Sequence, residues 1–242
     1  MKTTRRIKLG AFLTYNKVLA SMHYGDADMF TDINIETQTT CNRKCVYCPN
    51  FTHERPYKKM SIALFRKIID ELSRVGYRDH VTFSGYGEPL IDKRLPDMSL
   101  YVREKLPKAK IRIHTNGDFL TPAIRKKLEK MKVEIKISRH DVNLEGENLY
   151  NRGGLVKVKN NCMAGATVCI QPLFRCMVFA SGNVILCCND YLETVKLGNV
   201  KKENTISLWK RNKCFRHNVG SGHLIQRLPV CRKCTDADSG KA

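Results

Sequence analysis

The stretch that decides the fold runs from Asp32 to Cys48 and reads DINIETQTTCNRKCVYC. Its first part alternates apolar and polar residues, with Ile33 and Ile35 on one side, which predicts a half-buried strand. The loop that follows has the spacing C-x3-C-x2-C. A structural zinc site would need a fourth ligand, whereas a four-iron cluster bound by three cysteines keeps one iron open to a substrate. The loop therefore favours a cluster, with a zinc knuckle as the alternative.

Beyond this loop, the sequence alternates between predicted helices and strands as far as Ser138. A helix begins at Ser61, and further strands are predicted at 80–84, 110–114 and 133–138. Repeated strand–helix units predict a parallel sheet with helices outside it. Only about 130 residues are available for these units, against about 250 for a complete eight-unit barrel, so we predict an α/β fold with an incomplete parallel β/α barrel.

The pattern changes in the last third of the chain. Two short apolar runs joined by residues 180–183 predict a β-hairpin, a short helix is predicted at 206–213, and an irregular tail follows. We therefore predict three parts: an N-terminal extension over 1–30, the partial barrel over 31–160, and a small C-terminal hairpin and helix domain over 161–242.

Short motifs follow the other predicted strands. Ser84-Gly85-Tyr86-Gly87-Glu88-Pro89 comes after the second strand, Asn116-Gly117 after the third, and Ser138-Arg139 ends the fourth. All of them fall at the carboxyl ends of parallel strands, where open α/β sheets bind ligands. Together with the cysteine loop, and in this order, they make the chain similar to the radical S-adenosylmethionine (SAM) enzymes.

The resemblance implies a role for each matching residue. The SAM-binding [4Fe–4S] cluster would be bound by Cys41, Cys45 and Cys48, and SAM would be contacted by Tyr47 at the adenine, by Gly87 and Glu88 at the amino group, and by Asn116, Ser138 and Arg139 elsewhere. Tyr86 stands where the family pattern has its first glycine. The implied reaction is the one-electron cleavage of SAM to a 5′-deoxyadenosyl radical, which abstracts a hydrogen atom from the substrate.

A second set of cysteines lies in the C-terminal part. Cys169, Gly182 and Cys187 have the spacing C-x(n)-G-x4-C, and Cys231 and Cys234 form a C-x2-C pair. This pattern resembles the SPASM or shorter twitch extension of radical SAM enzymes. The resemblance implies that Cys169, Cys187, Cys231 and Cys234 bind one auxiliary [4Fe–4S] cluster. Cys188 is a rival for Cys187, Cys176 is a rival for Cys169, and structural zinc is the alternative metal.

The chain length and the single-cluster extension look like the aminocyclitol radical SAM dehydrogenase, which implies an oxidation with the auxiliary cluster as electron acceptor. Arg152 is a candidate contact to an anionic or hydroxyl-rich small polar substrate, and Asp190 is a candidate base or a hairpin cap. The alternatives are a peptide-modifying enzyme, an RNA-modifying enzyme, and a zinc or iron–sulfur protein that binds nucleic acid.

Composition limits these options. The chain has 242 residues, 11 cysteines and a formal net charge of +20, without a dense basic run. A dispersed charge gives nucleic acid no clear footprint, although nucleic acid stays open as a partner. No apolar stretch approaches the length of a membrane span or a signal peptide, so we expect a cytoplasmic protein with reduced thiols. The resemblance also implies a reductant such as flavodoxin or ferredoxin.

Overall fold

The computed structural model describes residues 2–138, 142 and 147–236, with side chains from Gly10 onward. The strands are β1 (Asp32–Ile35), β2 (His80–Phe83), β3 (Lys110–Thr115), β4 (Val133–Ile137), β5 (Asn148–Leu149), β6 (Asn160–Asn161), β7 (Arg175–Val178), β8 (Asn183–Ile185) and β9 (Lys196–Asn199). The helices are α1 (Lys2–Tyr24), α2 (Ile62–Arg74), α3 (Leu95–Lys105), α4 (Pro122–Lys130), α5 (Gln171–Phe174), α6 (Thr205–Arg211), α7 (Lys213–Gly220) and α8 (Pro229–Thr235).

Capping side chains explain where two of the barrel helices begin. Ser61 accepts a hydrogen bond from the Leu64 amide (3.1 Å) at the start of α2, and Thr121 accepts one from the Ile124 amide (3.2 Å) at the start of α4. Each bond satisfies a backbone donor that the first helical turn leaves unpaired. After α2 ends, Gly76 has a φ of +62°, a left-handed conformation that glycine adopts at low cost.

One seven-stranded sheet, in the order β4-β3-β2-β1-β7-β8-β9, contains the barrel strands. Every pairing from β4 across to β7 is parallel, and Ile33 of β1 is aligned with Val81 of β2 and Cys176 of β7. The strands β1 to β4 are connected through α2, α3 and α4, and the apolar side chains of Ile33, Val81 and Cys176 are buried. The predicted α/β fold with an incomplete parallel barrel is confirmed.

The C-terminal hairpin belongs to the same sheet as the barrel. β7 pairs in parallel with β1 and antiparallel with β8, so the predicted hairpin is present and extends the barrel sheet. The prediction of an irregular tail is wrong, because α7 and α8 follow the predicted short helix. α8 carries both Cys231 and Cys234, which lie three residues apart and therefore on neighbouring positions of one helix face.

The N-terminal extension is a helix that packs against both halves of the chain. In α1, the Phe12 ring meets Phe174 edge-on at 5.0 Å between centroids, and Tyr24 stacks on Tyr77 at 5.7 Å. The Tyr24 hydroxyl also donates a hydrogen bond to the Asp79 carboxylate (2.7 Å), just before β2. Among the helices of the described residues, none has the length and apolar character needed to cross a bilayer.

Candidate cofactor and substrate site

A cavity of about 390 Å³ lies over the inner face of the parallel sheet and the carboxyl ends of its strands. This volume is in the range of small-molecule sites, roughly 300–1,000 Å³. The predicted site residues that line it are Cys41, Cys45, Tyr47, Cys48, Gly87, Glu88, Asn116, Ser138 and Arg152. Arg139 lies outside the described residues. The topology therefore brings the separate sequence motifs together.

The three-cysteine loop forms one wall of this cavity. The Cys48 amide donates a hydrogen bond to the Cys45 carbonyl (2.9 Å), so the C-x2-C half of the loop is a tight turn, and a short 3-10 helix follows it. Burial raises the pKa of Cys41 and Cys48, the Glu88 charge and then the Cys45 thiol raise that of Cys41 further, and the Cys45 and Cys41 thiols raise that of Cys48 further. Sulfurs that share a cavity and disfavour one another's ionisation suit a cationic centre, because iron stabilises the thiolate form.

The distribution of ligand side chains bears on the kind of metal centre. In the ranges that the structure describes, no three Cys, His, Asp or Glu side chains are grouped closely enough to hold a single metal ion. A tetrahedral zinc ion requires its sulfurs at about 2.3 Å from one point. The three cysteines of the loop line one common cavity.

Glu88 is buried, with 3% of its surface exposed, at the junction of β2 and β3. One carboxylate oxygen accepts hydrogen bonds from the Thr115 hydroxyl (2.6 Å) and the Leu90 amide (2.9 Å), and the other accepts one from the Asn116 amide (2.7 Å). The carboxylate thus fixes the end of β3 while it lines the cavity. The oxygen that accepts from Asn116, Oε2, accepts one hydrogen bond among those of the described residues, so it has a second lone pair with which it could accept a hydrogen bond from a ligand.

Gly87 is required by a close approach of two backbone segments. A Cβ atom placed there would lie 2.0 Å from the carbonyl oxygen of Gln38. Gln38 also donates side-chain hydrogen bonds to the carbonyl oxygens of Glu88 (2.7 Å) and Thr40 (2.8 Å). The glycine-containing stretch after β2 is therefore clamped to the segment that enters the cysteine loop.

Tyr86, which stands where the family pattern has a glycine, lines the first cavity. Its hydroxyl donates to the Cys188 carbonyl, and its ring meets Tyr191 edge-on at 4.7 Å between centroids. Its own backbone carbonyl accepts a hydrogen bond from the Asn50 amide group (2.7 Å). The tyrosine thus links the barrel motif to the C-terminal segment, which a glycine at this position could not do.

A buried ion pair between Glu36 and Arg55, which the sequence analysis missed, packs against Tyr86 and the aromatic residues around it. Glu36 and Arg55 have side-chain exposures of 2% and 8%, and they form a salt bridge. Glu36 also accepts a hydrogen bond from the Tyr86 amide (3.0 Å). The Arg55 guanidinium lies over three aromatic rings, 5.4 Å from the Tyr86 centroid, 5.0 Å from Phe179 and 4.8 Å from Tyr191. The sequence signal that could have revealed this ion pair is Glu36, a charged residue directly after the buried strand β1.

The inner face of the sheet presents polar side chains to the cavity. Asp32 accepts hydrogen bonds from Asn34 (2.8 Å) and Thr82 (2.9 Å) with one oxygen and from the Arg175 guanidinium (3.0 Å) with the other. Burial, and then the charge of Arg112, lowers the pKa of His114, which keeps that imidazole neutral at pH 7. Parallel-sheet interiors are normally apolar, so this polar lining indicates a hydrophilic ligand.

The second cysteine set lines a separate cavity. Cys169, Cys187, Cys231 and Cys234 all contribute to its wall. Burial raises the pKa of Cys169 to about 11 and that of Cys231 to about 12, and it raises the pKa of the other two thiols as well. The four residues predicted as ligands of the auxiliary cluster are thus brought together from three separate parts of the chain.

The two rival cysteines lie elsewhere. Cys188 lines the first cavity and not the second. Cys176 is buried in the hydrophobic core on β7, where it lines neither cavity. The geometry therefore favours Cys187 and Cys169 over these alternatives.

The two candidate catalytic residues have different surroundings. Arg152 lines the first cavity, and its guanidinium carbon lies 6.0 Å from the Tyr86 ring centroid. Asp190 does not line that cavity: its carboxylate accepts hydrogen bonds from the amide and hydroxyl of Thr194 (2.9 and 2.7 Å) and from the Val195 amide (2.7 Å). The structure favours the hairpin role for Asp190 over the role of a base.

Comparison with known proteins places this geometry in a family. Residues 35–160, just over half of the chain, match the Radical SAM superfamily, and residues 169–235 match the SPASM iron–sulfur cluster-binding domain. The chain belongs to the radical SAM superfamily. SAM and two [4Fe–4S] clusters are therefore the cofactors of this radical SAM enzyme.

Individual relatives agree in length and fold. The S-adenosyl-L-methionine-dependent 2-deoxy-scyllo-inosamine dehydrogenase of Niallia circulans is 27% identical, over 86% of this chain and 94% of the relative. The crystal structure of BtrN in complex with AdoMet and 2-DOIA superposes with a TM-score of 0.76 at 26% identity, covering 88% of this chain and 95% of BtrN. Native anSMEcpe with bound AdoMet, at a TM-score of 0.54 and 15% identity over 86% of this chain and 90% of that one, shares the fold. The peptide-modifying, RNA-modifying and nucleic-acid-binding alternatives are not favoured by these comparisons.

Proposed function

We propose that this radical SAM enzyme is a dehydrogenase that oxidises an alcohol carbon of a small polyhydroxylated substrate to a ketone. The observation that carries the proposal is the second cavity. Four cysteine ligands saturate a cluster, so such a cluster suits electron transfer rather than substrate ligation. Similarity to a dehydrogenase over nearly the full length of both chains supports the same reaction.

The two cofactor sites are proposed residue by residue. Cys41, Cys45 and Cys48 hold the cluster that binds SAM, and Cys169, Cys187, Cys231 and Cys234 hold the auxiliary cluster. Around SAM, Tyr47 contacts the adenine, Gly87 and Glu88 form the amino-group contact, and Asn116, Ser138 and Arg139 contact the rest of the molecule. When bound, these groups supply a 5′-deoxyadenosyl radical and an acceptor for the second electron.

The protein's own side chains bind and orient the substrate. The polar inner face around Asp32 and Arg175 offers both donors and acceptors to hydroxyl groups. Arg152 brings a positive charge to the same cavity, without a carboxylate partner among the described residues, and it would hold an alkoxide-like oxygen or an anionic substituent. The apolar wall formed by Tyr86 and its neighbours limits the access of water.

We propose flavodoxin or ferredoxin as the reductant and the cytoplasm as the location. Two sets of clustered cysteines, one lining each cavity, support a reducing compartment, because clustered cysteines in such a compartment more often bind metal than form disulfides. A compartment that keeps thiols reduced also protects clusters during assembly.

Anaerobic reconstitution tests the cofactor assignments. The full chain should bind about eight irons, and a variant with Cys41, Cys45 and Cys48 changed to alanine about four. Cys187→Ser should lose the auxiliary cluster, whereas Cys188→Ser serves as the matched control and should keep it. Equal iron loss in both variants would contradict the ligand assignment.

A product assay tests the reaction. With SAM and dithionite, the enzyme should form 5′-deoxyadenosine, and a panel of cyclic polyols, aminocyclitols and their phosphate esters should yield a ketone with one substrate class. Transfer of deuterium from the oxidised carbon into 5′-deoxyadenosine would identify the abstracted atom. Ketone formation from none of these compounds, with modification of a peptide instead, would overturn the dehydrogenase proposal.

A further inference from the structure

The loop that carries Arg152 lies between the two cavities. Arg152 and Gly153 both have positive φ values, +52° and +67°, which turn the guanidinium toward the first cavity and the backbone toward α8. A Cβ atom placed at Gly153 would lie 2.8 Å from Cγ2 of Val230 in α8, and the Asn151 side chain donates a hydrogen bond to the Lys233 carbonyl (2.8 Å) in the same helix. One face of the loop therefore meets the substrate cavity and the other meets the helix that carries two predicted cluster ligands.

Asn189 completes the connection between Arg152 and Cys234. It is 6% exposed, its Oδ1 accepts a hydrogen bond from Arg152 Nη1 (3.3 Å), and its Nδ2 donates to the Cys234 Sγ (3.5 Å). The orientation of the amide is fixed by chemistry, because an arginine can only donate and a thiolate can only accept. Arg152 thus holds the amide in the orientation that points an N–H at the sulfur.

We propose that Asn189 is a positioning residue that couples the substrate cavity to the auxiliary cluster and raises the reduction potential of that cluster. The inference rests on the proposed role of Cys234 as a ligand. A hydrogen bond to a ligating sulfur withdraws negative charge from it and stabilises the reduced cluster. Arg152 orients the Asn189 amide that donates to Cys234. A substrate that binds Arg152 would therefore also change the reduction potential of the auxiliary cluster, which takes the electron from that substrate.

The closing experiment measures the auxiliary cluster directly. The full chain with Cys41, Cys45 and Cys48 changed to alanine contains only this cluster, and its midpoint potential is followed by EPR during a redox titration. Asn189→Leu should lower the potential, so that the reduced-to-oxidised ratio at the original midpoint falls about tenfold, equivalent to 59 mV for one electron. Asn189→Asp keeps the acceptor for Arg152 but lacks the N–H donor, and it should lower the potential as well.

Two further variants test whether the potential depends on the hydrogen bond to the Cys234 sulfur or on any loss of packing near Cys234. Asn161 donates its hydrogen bond to the carbonyl oxygen of Cys234 (2.8 Å) rather than to the sulfur, so Asn161→Leu should leave the potential unchanged. Arg152→Met removes the donor that orients Asn189 and also a positive charge close to Cys234, so it should lower the potential too. The double variant should shift the potential by less than the sum of the two single shifts, since part of the Arg152 effect acts through the Asn189 amide.

The possible outcomes distinguish the two proposals. If the triple-alanine chain binds no iron, the proposed cluster assignment fails. If it binds about four irons and both Asn189 variants keep the original potential, or Asn161→Leu shifts it equally, the role of Asn189 is overturned while the cluster assignment stands.

Discussion

The buried Glu36–Arg55 pair provides a sharp test of how the cofactor cavity is supported. In Arg55→Met the apolar stem is kept, but Glu36 becomes a buried carboxylate without its cation. Breaking such a pair by removing one partner costs about 3–5 kcal/mol, because the remaining charge is left uncompensated. The loss of contacts to three aromatic rings acts in the same direction. For a chain of this size, a change of this magnitude lowers the melting temperature by about 6–20 °C.

The assay is urea and thermal unfolding of the anaerobically reconstituted enzyme, followed by circular dichroism and by cluster absorbance. Lys44→Met is the matched control, since Lys44 pairs with Glu54 at side-chain exposures of 64% and 85%. Exposed pairs of this kind contribute about 0–1 kcal/mol. A loss below about 1 kcal/mol in Arg55→Met, or an equal loss in both variants, would refute the reasoning.

Three other changes follow from the same geometry. Gly87→Ala should weaken SAM binding in equilibrium dialysis and cost about 1–3 kcal/mol in urea unfolding, because its Cβ would overlap the Gln38 carbonyl; unchanged SAM affinity would contradict this. In the iron-free protein, burial raises the pKa of Cys169 from 9.0 to about 11 and that of Cys231 to about 12. Because the unfolded chain ionises these thiols more readily, their contribution to the free energy of unfolding is complete below pH 9 and is lost as the pH rises through 11 and 12. Urea midpoints at pH 8 and pH 10 measure that loss, which Cys169→Ser should reduce. Asp190→Ala should lose about 1–3 kcal/mol of stability yet keep ketone formation, whereas abolished product in a stable variant would restore the base role.

The order of motifs along the sequence was enough to predict the barrel. The carboxyl ends of neighbouring parallel strands meet at one edge of a sheet, so the sequence alone places the cysteine loop, Gly87, Glu88 and Asn116 around one cavity. The hairpin was equally predictable, because two apolar runs flank a turn that contains Gly182. These predictions depend on local pattern and topology alone.

Other features depend on contacts between distant parts of the chain. The choice between Cys187 and Cys188 depends on which side of the chain each faces after β8, and spacing alone does not resolve that. The Asp190 carboxylate could be recognised as a turn acceptor only once the amides of Thr194 and Val195 were located. The pairing of Glu36 with Arg55 likewise requires the path of the intervening loop.

The parallel pairing of β7 with β1 joins the two cofactor regions through one sheet. The Arg175 of β7 neutralises the Asp32 of β1, and the backbones of the two strands share a ladder of hydrogen bonds. A chain cut near residue 160 would leave β1 as an open sheet edge, which invites pairing with other chains. The two cavities are therefore connected by one continuous sheet rather than by a linker.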